Sequence, residues 1–148
     1  MTTDDIAKLR DQCVLQMAKV MAVYQHIESN LDKLIDQKYE VIKLLVGDKA
    51  IIKRGRKGKT LGSLVSEFKT ITDNEILISK LEALTKSRNE VAHKEFAIVT
   101  SLTDPIMLKQ KHFEFILLED KTQEVLEQHL SEFASSMSLE IDSKNTEK

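Results

Sequence analysis

The first 46 residues contain neither glycine nor proline, and nothing else in the chain constrains its fold as strongly. A stretch of that length without a breaker reads as helix. Apolar positions recur at 3-4 spacing through Ile6, Cys13, Met17, Val20, Tyr24, Ile27, Leu31, Leu34 and Val41, with Arg10 and Lys38 as polar exceptions. Leu9, Met21, Ile35, Ile42 and Leu45 widen this stripe beyond a narrow coiled-coil seam. Thr3 can cap the start, and Asp4 and Asp5 sit where the helix dipole favours acids. As one rod, the segment from Thr3 to Val46 would be about 65 Å long at 1.5 Å per residue. Either it breaks near Ser29-Asn30, or it extends to meet a second chain.

All four glycines (Gly47, Gly55, Gly58 and Gly62) fall in one short stretch, which makes 47–60 the main loop. A second helix follows through Leu61, Leu64, Val65, Phe68 and Ile71. Thr72-Asp73-Asn74-Glu75 has the pattern of a capping box and starts a third helix, whose apolar face is Leu77, Leu81, Leu84 and Val91. Between Ala97 and Leu118 two readings compete. Thr103-Asp104-Pro105 suits a helix start with proline in its first position; alternatively, Ile98-Val99 and Phe113 to Ile116 pair as a short β-hairpin. Val125, Leu126, Leu130, Phe133 and Met137 mark a last helix, and a frayed tail is expected over 143–148. The expected architecture is all-α: one domain over 1–142, an antiparallel bundle of four or five helices.

Composition narrows the chemistry. Cys13 is the only cysteine, which excludes an internal disulfide and a thiolate metal cage. His26, His93, His112 and His129 include no pair three or four apart, so no metal ligand set and no cofactor is expected. No apolar run approaches the roughly 18 residues that span a bilayer, and the acidic, polar start is unlike a secretory leader. These features point to a cytoplasmic protein with no membrane partner.

The net charge of −2 hides an asymmetry. Lys49, Lys53, Arg54, Arg56, Lys57 and Lys59 crowd one loop, whereas acids dominate from Glu119 onward. Gly55-Arg56-Lys57-Gly58-Lys59-Thr60 mimics the end of a nucleotide-binding loop. It has two residues between its glycines where that motif needs four, and Lys53 stands where the first glycine belongs. A triphosphatase is set aside on that ground. Lys53, Arg54, Arg56, Lys57 and Lys59 remain either a solvated loop or contacts to RNA phosphates, whose neutralisation releases counterions whatever the base sequence.

The one site-like cluster is Arg88-Asn89-Glu90-Val91-Ala92-His93. Extending the Leu77, Leu81, Leu84 face lands on Arg88 and then Val91, so a guanidinium occupies an apolar track and needs a counter-charge, water or an interface. Asn89 and His93 are four apart and share a face. Arg88 and His93 are five apart, about 140° around an ideal α-helix. A kink at the helix end, or a second copy of the chain, is needed to bring them together.

This cluster resembles the Arg-x4–6-His motif of the HEPN superfamily (higher eukaryotes and prokaryotes nucleotide-binding), with Asn89 as the polar residue after the arginine. The context is similar too: a long first helix, a loop, a helix containing Leu61-Gly62-Ser63-Leu64, and then the motif helix. The resemblance covers about Asp4 to Phe133. It implies a helical bundle that forms a homodimer and acts as a metal-independent endoribonuclease, with the Arg and His of both chains in one cleft. His93 would serve as general acid or base at the ribose 2′-hydroxyl, Arg88 would stabilise the phosphorane, and Asn89 would position either. It also implies a toxin or antiphage effector, some members being silenced by an antitoxin. Where some family toxins carry a tyrosine two residues after the histidine, this chain has Glu95. The rival expectation is a non-catalytic HEPN-like or coiled-coil interaction module, with Arg88 in an ion pair inside its own chain and His93 a favourable cation at a helix end.

Overall fold

The computed structural model describes residues 1–47 and 60–147. The first helix, α1, runs without interruption over Thr3–Val46. Its cap is Thr2, one residue before Thr3: the Asp5 backbone N–H donates to Thr2 Oγ1 (3.2 Å), and the Thr2 N–H donates back to Asp5 Oδ2 (2.9 Å). At Ser29-Asn30 the helix does not break. The Asn30 amide, which would have capped a new helix, donates to the His26 carbonyl one turn back (2.8 Å). Gly47 ends the helix at φ 89°, in a region that side chains other than glycine rarely adopt.

Helix α2 (Leu61–Ile71) is capped by Thr60, and α3 (Glu75–Glu90) by Asn74, whose Oδ1 accepts the Leu77 N–H at 3.1 Å. Asn74, rather than Thr72, therefore starts the third helix; Thr72 Oγ1 instead accepts the Asn74 N–H. Helix α3 passes through a π-helical turn, Val91–Glu95, into α4 (Phe96–Ser101). The hairpin alternative is overturned. Ile98 and Val99 lie in α4, and Phe113 to Ile116 lie inside α5 (Pro105–Glu124). Asp104 accepts the Ile106 N–H (2.9 Å), and Pro105 sits in the first turn, where its missing N–H is not needed. A second π turn, Val125–Leu130, joins α5 to α6 (Ser131–Thr146), so helix continues past Ser143. No strand occurs among the described residues.

These rods form a long bundle around α1. Cys13 donates to the Leu108 carbonyl near the start of α5, and Leu34 shares a groove with Leu126 and Leu130 further along. The α5–α6 rod therefore runs parallel to α1. Arg10 donates to the Leu102 carbonyl (2.7 Å) and Glu28 faces Arg88, so the α3–α4 rod runs antiparallel. The stripe of α1 is buried by its own chain: Cys13, Val20, Tyr24, Ile27, Leu31 and Ile35 are all fully inaccessible. That weakens one ground for a second chain, although Leu45 and Val46 at the far end of α1 stay exposed.

The π turns answer a register problem. Leu77, Leu84 and Val91 are buried at seven-residue steps, but the next step lands on exposed Ile98, and it is Val99 that is buried. Leu108, Phe115 and Thr122 likewise step by seven, after which Leu130 and Met137 are buried. Each rod carries one extra residue, and a turn bonded i to i+5 absorbs it without turning the core face outward.

Candidate functional site

Two of the three motif residues directly precede the first π turn and the third lies in it. Arg88 and Asn89 are in the last turn of α3, and His93 is at the centre of Val91–Glu95. Val91 is buried and anchors the turn, whereas Asn89 and His93 are exposed. A turn that holds about one residue more than an α-helical one would narrow the offset between Arg88 and His93 from the about 140° of a straight helix.

Arg88 lies at the rim of the core, its side chain 24% exposed. Its Nε is 3.7 Å from Glu28 Oε1, a carboxylate 22% exposed on α1. That exceeds the 2.7–3.2 Å of an N–H···O bond, so the pair is a charge contact, and Nε itself has no hydrogen-bond acceptor. Arg88 Nη1 donates to Asn89 Oδ1 at 3.4 Å, again a long contact. Tyr24, one turn before Glu28, is fully buried with its hydroxyl beside Thr122 of α5 and Ser87 of α3, and burial pushes that hydroxyl's pKa up.

Glu95, two residues after His93, does not stand free. Its carboxylate is 3.1 Å from Lys111 of α5, and Lys111 also meets Glu114 at 3.3 Å. The acid two residues after His93 thus has its charge offset inside the fold. Phe96, which follows the turn, and Ile98 are exposed.

The basic residues Lys53, Arg54, Arg56, Lys57 and Lys59 lie outside the described residues. Their attachment point does not. Thr60 caps α2, and Gly62 lies against α3, where a Cβ would make ordinary contact with Thr85 Cγ2 at 3.4 Å. Thr85 lies one helical turn before Arg88 and Asn89 on α3.

Among the described residues, no three His, Cys, Asp or Glu side chains form a group able to hold a metal ion, and no helix is long and apolar enough to cross a membrane. Sequence reasoning missed Glu28, Tyr24, Ser87 and Thr122. Glu28 was within reach, since it lies four residues after Tyr24 on the edge of the α1 stripe. Compared with family models, curated proteins and solved structures, the chain finds no significant match.

Proposed function

We propose that this protein is a HEPN-type, metal-independent endoribonuclease acting through the turn from Arg88 to His93. The observation that supports the reading is the π turn: His93 lies in a widened turn directly after Arg88 and Asn89, and it is exposed. Histidine titrates near neutrality, so His93 can take the proton of a ribose 2′-hydroxyl as that oxygen attacks phosphorus. The 5′-oxygen then leaves with a proton returned by a general acid, and a 2′,3′-cyclic phosphate remains. Arg88 offsets the charge that builds on the phosphorane, and Asn89 orients the guanidinium. Lys53, Arg54, Arg56, Lys57 and Lys59 would hold the RNA backbone.

A cleft made by two copies completes the reading, with exposed Phe96 and Ile98 as apolar surface beside the motif for the second chain. A cytoplasmic toxin or antiphage effector, held by an antitoxin, is the biological setting this chemistry fits. The test is to incubate purified protein with total RNA, with and without EDTA. Cleavage that survives EDTA and leaves cyclic phosphate ends is expected; intact RNA at micromolar enzyme would sink the proposal.

One observation favours the rival reading. Arg88 faces Glu28 of its own chain, as an interaction module without catalysis would have it. Homodimers with two Arg88-His93 pairs in one cleft would decide for the enzyme; stable monomers that bind protein but leave RNA intact would decide for the module.

A further inference from the structure

We propose that Glu28 is the positioning residue for the Arg88 guanidinium, an inference that rests on the ribonuclease reading above. Glu28 is held by a rigid frame: Tyr24, Ile27 and Leu31 around it on α1 are all fully buried. It therefore offers a fixed negative charge at the edge of the core, and Arg88 Nε faces it at 3.7 Å. The other contact to Arg88 is Asn89 Oδ1 on Nη1. Nη2 has no partner among the described residues. A planar guanidinium steered along its Nε edge and lightly held at Nη1 keeps its remaining donor for an incoming anion.

The looseness of the contact is informative. A guanidinium locked in a bidentate pair with a carboxylate would have both forks filled and little left for phosphate. At 3.7 Å and partly exposed, Glu28 steers Arg88 through charge without consuming its donors, and the fold depends little on the pair. Glu28 touches neither substrate nor reacting atoms in this arrangement; it acts through Arg88.

The experiment is cleavage kinetics on the full chain for Glu28→Gln, Glu28→Ala and Glu28→Asp, with melting temperature and the NMR signal of the Arg88 Nε–H measured on the same samples. Glu28→Ala should lower kcat by up to about 10²-fold, the scale of a misplaced catalytic group, with KM nearly unchanged. Glu28→Gln keeps the shape but not the charge and should lose on the order of 10-fold; Glu28→Asp keeps the charge and should retain more activity than Glu28→Ala. Melting temperatures should stay at the wild-type value, and the Arg88 Nε–H signal should broaden or move. Wild-type kcat in Glu28→Ala overturns the inference, and so does a loss that follows melting temperature across the three variants. Failure of the ribonuclease reading looks different: the wild-type protein itself then cleaves no RNA, and both proposals fall together.

Discussion

In the first π turn only Val91 is buried, while Ala92, His93 and Lys94 face water. In the second, Val125 and Leu130 are buried, and Leu126 and His129 partly so. Both turns absorb one residue beyond the seven-residue step, and both hand an intact core face to the helix that follows. The second does only that, returning Leu130, Phe133 and Met137 to the core, where Phe133 meets Phe68 edge-on at 5.2 Å. A widened turn therefore creates no site by itself. It becomes a candidate when the residues it pushes outward can do chemistry, and only the first turn has an arginine just before it and a histidine at its centre.

The sharpest way to break this comparison is to mutate both turns. His93→Ala should lower the RNA cleavage rate by about 10²–10⁴-fold, with Arg88→Ala losing a comparable amount. Stability in His93→Ala should stay within about 0.5 kcal/mol, as expected at an exposed position. Leu130→Ala in the second turn should do the reverse, costing about 2–5 kcal/mol of folding free energy in urea titration. Activity per folded molecule should be unchanged. If His93→Ala unfolds the protein, or Leu130→Ala abolishes cleavage by folded molecules, the division of labour between the turns is wrong.

A deletion tests the geometry more directly. Removing Lys94 restores the seven-residue step from Val91 to Val99, so the rod can straighten into α-helix with its core face intact. Arg88 and His93 return to an offset of about 140°. The fold should survive by circular dichroism, and cleavage should fall by on the order of 10²-fold, while Lys94→Ala keeps near-normal activity. Equal activity in the two variants would mean that the π turn has no part in the site.

Smaller effects are expected around the turn. Changing Lys53, Arg54, Arg56, Lys57 and Lys59 to alanine should flatten the salt dependence of RNA binding by roughly 0.7 in log–log slope for each phosphate that is no longer neutralised. An unchanged slope would return these residues to a solvated loop. Smallest of all is the effect of Lys111. Burial pulls the Lys111 pKa down, but Glu95 and then Glu114 more than offset this and hold it above its usual 10.5. Its contribution should be complete below about pH 10.5 and fade as pH rises through the raised value. Lys111→Met should remove that alkaline component from the pH–stability profile, and a profile identical to wild type would show that the pair stabilises nothing.

The helices were legible because their stripes are dense and their breakers sparse: Leu61 to Ile71 and Leu77 to Val91 form on the faces that their spacing marks. The continuity of α1 was harder to read, since Ser29-Asn30 has the composition of a cap and only the back-bond to His26 removes it. Ile98-Val99 and Phe113 to Ile116 are β-branched and aromatic, which suits strands locally; packing along α1 overrode that preference. At the site, Arg88, Asn89 and His93 were visible as a motif; the extra residue was not, because Ile98 and Val99 are both apolar and only burial tells them apart. The partner of Arg88 was not, because Glu28 lies sixty positions away on a helix whose rotation about its axis is set only by packing.

The parallel pairing of α1 with α5 has a consequence in time. Cys13 bonds to Leu108, 95 residues later. At about 5–20 residues per second, a ribosome needs roughly 5–19 s to make the second partner after the first. Throughout that interval the apolar stripe of α1 has been synthesised but lacks the rod that covers it. A message truncated before Pro105 would release a chain whose longest helix has no such rod and must aggregate, find a chaperone, or be degraded.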